Sequence, residues 1–112
     1  MIDLTDLIVL NRLICEDNGQ QSVVINKNNL LSALSVQQWY EDPYLLASAL
    51  VRSLTIAHGF QDGNKRTAAI VGMMVSSYMC SEDEIIECVL SIAKGDLKDV
   101  EEIASILYLQ EN

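Results

Sequence analysis

The sequence predicts an all-α protein of about six helices folded as one domain. Apolar residues recur at helical spacing along most of the chain, no stretch alternates as a half-buried strand would, and capping residues stand where the apolar runs begin and end. Of the 112 residues 50% are hydrophobic, enough for one sizeable core but not for two, so residues 1–112 read as a single unit.

From Asp3 to about Asp17, Leu4, Leu7, Ile8, Leu10, Leu13 and Ile14 mark one face of a first helix, which Asn18-Gly19 ends. Gln20 to Ile25 reads as a short connection with extended character. Asn26 to Asn29 supply N-cap candidates for a second, shorter helix carrying Leu30, Leu31, Ala33, Leu34 and Val36. Gln37 to Asp42 breaks the pattern, with Trp39 and Tyr40 side by side; with Tyr44 they read as a lid on the core. Asp42-Pro43 then opens a third helix to about His58, an acid at the cap and proline in the first turn. It is apolar nearly all round apart from Ser48, Arg52 and Thr55, as an enclosed helix should be.

A fourth helix is expected from about Asn64 to Cys80, again apolar on most sides. Gly72 inside it costs about 1 kcal/mol against alanine, which close packing against a neighbour can offset. Met73, Met74 and Met79 read as packing residues. Ser81 with Glu84 has the form of a capping box, and the acids from Glu82 to Glu84 suit the positive end of a helix dipole. A fifth helix therefore runs to about Lys94 and stops at Gly95. Asp96 is expected to cap a sixth, with Val100, Ile103, Ala104, Ile106 and Leu107 on its inner face.

The formal charge of −9 and the pI near 4.3 argue against nucleic acid and against anionic membrane surfaces as partners. Cys15, Cys80 and Cys88 are odd in number and lack C-x-x-C spacing, so neither a disulfide framework nor a zinc knuckle is expected. A reducing compartment fits them. The start Met1-Ile2-Asp3 has no basic region of the signal-peptide kind. The apolar run from Thr67 to Cys80 is too short, and too broken by Gly72, Ser76 and Ser77, to span a bilayer. A cytoplasmic protein is expected.

One polar stretch lies between the two most buried helices: His58-Gly59-Phe60-Gln61-Asp62-Gly63-Asn64-Lys65-Arg66. It holds the only histidine and the only phenylalanine of the chain. Gly63-Asn64-Lys65 falls where the fourth helix begins, and the free N–H groups of a helix start make a ready anion site. Lys65 and Arg66 are misplaced for helix stability there, since cations belong at the other end; over a polyphosphate they would be favoured. Asp62 supplies a hard oxygen ligand, and magnesium needs only one or two carboxylates when phosphates complete its shell. His58, with an unperturbed pKa of roughly 6.5, can accept a proton at neutral pH. Phe60 should point inward and anchor the loop. A base, a metal ligand, a phosphate cradle and two charge neutralisers fit nucleotide-dependent group transfer.

Residues His58, Phe60, Asp62, Gly63, Asn64 and Arg66 resemble the signature H-x-F-x-[D/E]-[G/A]-N-x-R of the Fic/Doc family. Lys65 followed by Arg66, Thr67 and Ala68 is similar to the Doc branch, the "death on curing" toxins. The resemblance implies a compact helical domain with the motif loop between two central helices. It implies His58 as the base that deprotonates a target hydroxyl, Asp62 as the holder of Mg2+, Gly63, Asn64 and Lys65 as the anion hole, and Arg66 on phosphate. Members that transfer AMP usually have glycine where Lys65 stands and a second arginine where Ala69 stands. Doc itself is implied to transfer the terminal phosphoryl of ATP to a threonine of elongation factor Tu, which stops translation. A flap before the motif helix is implied to align the target; Val36, Gln37, Gln38, Trp39 and Tyr40 are the residues expected to form it.

The leading expectation is thus a toxin that phosphorylates a translation factor. AMP transfer by the same site is the second reading, and a Fic-fold binding module without catalysis is the third. The inhibitory pattern [S/T]-x-x-x-E-[G/N] of self-restrained members does not occur, so a separate antitoxin docking in an apolar groove is expected. Arg52 reads as part of a polar stripe rather than a ligand contact, and the acids near 82–87 and 96–102 as capping and solvated faces.

Overall fold

The helices begin on side chains that cap them, with one exception at the centre of the molecule. In the computed structural model, which describes residues 1–77 and 81–108, six helices follow one another among the described residues. They are α1 (Leu4–Asp17), α2 (Lys27–Leu34), α3 (Pro43–Ala57), α4 (Asn64–Ser76), α5 (Glu82–Lys94) and α6 (Val100–Leu107). Asp3 and Asp6 form a reciprocal capping box on α1, and Asn26, Asp42, Ser81 and Asp99 accept from the first turns of α2, α3, α5 and α6. Only α4 starts without a side-chain cap, on Gly63. The all-α class is as expected.

α3 and α4 lie side by side in the middle, and the core is divided between their two flanks. On one flank Leu7 of α1 and Leu30 and Leu34 of α2 pack with Leu50, Leu54 and Val71. On the other, Ile85 and Val89 of α5 and Ile103 and Leu107 of α6 pack with Ala47 and Val51. This is why α3 is apolar nearly all round: it meets neighbours on both sides. Its buried Ser48 donates to Tyr44 O at 2.8 Å, so the hydroxyl is satisfied inside the helix.

Small residues let α3 and α4 approach. A Cβ at Gly72 would collide with Val51 Cγ2 and come within 2.9 Å of the Tyr108 hydroxyl. Glycine is therefore a packing requirement of the α3–α4–α6 junction.

Several local expectations change. Trp39 is 71% exposed and is no lid, whereas Tyr44 turns inward and faces the Tyr108 ring at 5.6 Å. Leu13 is 58% exposed because the inner face of α1 runs through Leu7, Asn11, Ile14 and Cys15. Met74 is exposed too, while Met73 packs on the core. α2 ends at Leu34 and tightens into a 3-10 turn, Ser35–Gln38, that carries Val36. Asp99, not Asp96, caps α6: the N–H groups of Asp96 and Leu97 turn back to Ser91 O and finish α5 instead. Arg52 Nε donates to Lys98 O at 2.6 Å and ties this connection to α3. α4 ends at Ser76, short of the expected Cys80, because Ser77 takes left-handed angles (φ 57°) and its N–H closes on Met73 O; the expected packing residue Met79 lies outside the described residues. No described helix is long and apolar enough to cross a membrane.

Gly72→Ala gains helix propensity of about 1 kcal/mol but overpacks the junction. Overpacking typically costs about 1–3 kcal/mol, so after the propensity gain we expect a net destabilisation of up to about 2 kcal/mol in denaturant unfolding.

Candidate active site

The loop from His58 to Gly63 reverses the chain between α3 and α4, and a few side chains fix its path. His58 takes left-handed backbone angles (φ 46°, ψ 50°), uncommon outside glycine, and stops α3. Phe60 is 1% exposed and packs in the α1–α4 core. Burying such a side chain is worth about 1.5–3 kcal/mol, which anchors the loop at its centre as expected.

Asn64 completes the anchor. Its Oδ1 accepts from Phe60 N at 2.9 Å and its Nδ2 donates to Phe60 O at 2.7 Å, so one buried amide satisfies both backbone groups of Phe60. The same Nδ2 lies 3.5 Å from His58 Nδ1. That separation is at the outer limit of a hydrogen bond and does not fix the tautomer of the ring. A second brace comes from the α1–α2 connection. Ile25 N and Asn26 N donate to Gly59 O at 2.8 and 3.1 Å, and Gln61 N donates to Val23 O at 2.8 Å, around an antiparallel bridge between Val24 and Phe60. The extended character read for Gln20 to Ile25 is realised here.

Gly63 then starts α4 at φ 78°, a conformation that strains any other residue. Its carbonyl accepts from Thr67 N at 2.9 Å, but no side chain caps the first turn. The opening N–H groups of α4 thus edge a cleft of about 300 Å³, lined by His58, Gln61 to Arg66, and Gln20. Lys65 and Arg66 are exposed there, with no acid in the first turn. Asp62 is half-buried, its carboxylate 3.4 Å from Gln61 Nε2. His58, Asp62, Gly63, Asn64, Lys65 and Arg66 therefore share one cleft. The Asn64 side chain is spent on the loop, which leaves its backbone N–H for an anion.

No group of three or more His, Cys, Asp or Glu side chains converges among the described residues. A dication held here would rest on Asp62 and on oxygens of its ligand, which is how magnesium accompanies phosphates. The cleft fits the pair of ions rather than the cation alone: one hard carboxylate oxygen for the dication, and uncapped backbone N–H groups for the phosphates that would complete its shell.

Val36, Gln37, Gln38, Trp39 and Tyr40 do not line this cleft. Gln37 is instead tied to the start of the chain, accepting from Ile2 N at 2.9 Å and donating to Ile2 O at 2.8 Å. The segment beside the motif loop is Val23 to Asn26. Periodicity locates the aromatic break at 36–40 but does not say which connection returns to the loop.

Sequence reasoning also passes over the residues beneath the turn. Asn11 of α1 is fully buried, and its Nδ2 donates to Asp62 O at 2.9 Å and to Thr67 Oγ1 at 3.2 Å. Its Oδ1 accepts from Ser22 Oγ at 2.7 Å and from Cys15 Sγ at 3.6 Å. A signal is present, since Asn11 interrupts the apolar stripe between Leu7 and Ile14. Burial pushes the Cys15 thiol above its usual range, and the Asp62 carboxylate adds to this.

A sequence model of the Fic/DOC family matches residues 2–76, a span that ends with α4 and contains the whole cleft. No curated protein and no solved structure matches the chain.

A thiol pKa raised in the folded state means that the unfolded chain loses this proton first as pH rises. Stability should be full below a pH of about 8.5, the free-thiol value, and decline above it until the folded thiol also ionises. Cys15→Ala should flatten this alkaline slope in unfolding curves recorded from about pH 7.5 to 10.5.

Proposed function

We infer, for a chain that belongs to the Fic/DOC family, that the cleft transfers the terminal phosphoryl group of ATP to a serine or threonine hydroxyl of a target protein. The family transfers AMP or phosphate to proteins, so the class of reaction follows from membership. The choice of phosphate, and of ATP as donor, is our reading. One observation carries it: the uncapped start of α4, with Lys65 and Arg66 exposed beside it, shares a cleft with His58.

In this reading the N–H groups of Asn64, Lys65 and Arg66 bind phosphate oxygens, and the two cations neutralise charge that builds up during transfer. Asp62 holds Mg2+, which when bound would neutralise and orient phosphate oxygens. His58 Nε2 takes the proton of the target hydroxyl. The hydroxyl oxygen bonds to the γ-phosphorus, the bond from that phosphorus to the bridging oxygen breaks, and ADP leaves. Positioning and charge supply most of what this reaction needs. The lysine at 65 favours phosphoryl over AMP transfer, as does Ala69, which is 5% exposed and stands where AMP-transferring members usually carry a second arginine.

The target we propose is a translation factor such as elongation factor Tu, so that the protein acts as a toxin that inhibits translation. The segment proposed to align that target is Val23 to Asn26, which pairs with the motif loop. An antitoxin is the proposed restraint. A largely apolar groove of about 310 Å³ between α1, α4 and α5 supports this, because it shares Arg66 with the cleft and a segment seated there would reach phosphate-binding groups.

Incubating the chain and magnesium with cell extract and ATP labelled at the α or the γ position tests the reading. Label from the γ position on a protein band is expected. Label from the α position means AMP transfer, and none from either means a binding module. His58→Ala should lower the transfer rate by about 10²–10⁴-fold, and full retention would remove the base.

A further inference from the structure

We propose that Asn11 is a positioning residue of this site, setting from beneath where the Asp62–Gly63 turn stands. The inference rests on the cleft being the nucleotide site proposed above. Asn11 touches no part of the cleft surface; it acts through the backbone. Its amide joins four pieces of chain: Cys15 one turn along α1, Ser22 in the connection that pairs with the loop, the Asp62 carbonyl, and Thr67 in the first turn of α4.

Three features separate this from an ordinary buried asparagine. First, hydrogen bonds are directional, so a carbonyl held at 2.9 Å fixes the Asp62 peptide plane, and with it the direction in which the carboxylate leaves the turn. Second, the Cβ that Gly63 lacks would lie 3.0 Å from Asn11 Nδ2 and 3.4 Å from Cys15 Sγ. The floor under the turn is therefore in contact with it on the side away from the cleft. Third, Ser22 adjoins Val23, whose carbonyl accepts from Gln61 N, so the loop is held through the same amide from two directions. A carboxylate that must present an oxygen to a cation while α4 keeps its N–H groups free has no cap to steady it. Asn11 takes that place from below.

Asn11→Asp tests this, because it keeps the shape and the acceptor for Ser22 and Cys15 but puts a second oxygen against the Asp62 carbonyl. Thr67→Val is the comparator: it removes the other partner of Nδ2 and leaves the Asp62 bond. Hydrogen exchange is read at the bonded amides of Phe60, Gln61 and Thr67, with Leu50 in α3 as the global reference. For Asn11→Asp we expect exchange at Phe60 and Gln61 to rise about tenfold more than at Leu50. The Mg2+ concentration for half-maximal transfer should rise by roughly 10–100-fold, as when an outer partner of a metal ligand is lost. Thr67→Val should move Leu50 and the loop together and leave the Mg2+ midpoint alone.

Loop exchange in Asn11→Asp that merely tracks Leu50 would overturn the proposal. If the native chain transfers no label, the functional reading fails, and the exchange data alone still decide whether Asn11 sets the turn. Should Asn11→Asp not fold, Ser22→Ala carries the test: a local rise of about threefold at Gln61 supports the role, and none overturns it.

Discussion

A helix whose first N–H groups are left without a cap is the constraint that the rest of this structure answers. Such groups normally find a side-chain acceptor, and the other five described helices do so. At α4 the stabilisation is moved elsewhere. The Asn64 amide closes on Phe60, the Phe60 ring sinks into the core, and the backbone of Val23 to Asn26 clips the loop from the side. The opening of α4 stays available because its neighbours, rather than its own cap, hold it in place.

The charge distribution follows the same division. The chain has 16 acids against 7 lysines and arginines, and two of those cations stand together at the mouth of the cleft. An acidic protein repels nucleotides at a distance, but beyond about 8 Å physiological salt screens most of that field. At close range the local pair and the helix dipole prevail. Association of the proposed nucleotide would then be governed by what the cleft offers on contact rather than by long-range steering.

Much of this is legible in the residues. Caps at Asp3, Asn26, Asp42 and Ser81 are local hydrogen-bond chemistry, and each stands where its neighbours in the chain place it. The loop from His58 to Arg66 is equally plain, because a glycine, two cations and a histidine set between apolar helices do not suit a simple connection. What stays hidden depends on partners distant in sequence. Nothing within α1 says that Asn11 lies under Asp62, 51 positions away, and nothing in Trp39 says that Tyr44 would take the inward place instead. Which connection meets the loop is hidden for the same reason: the pairing of Val24 with Phe60 is a tertiary choice among connections that look alike one by one.

The far flank of the molecule divides the labour differently. The family match ends with α4, and α6 closes the core beyond it through Ile103, Ala104 and Leu107, none of which reaches the cleft. α6 acts as a backing plate. It adds to the fraction of chains that are folded at any moment while lining no part of the cleft.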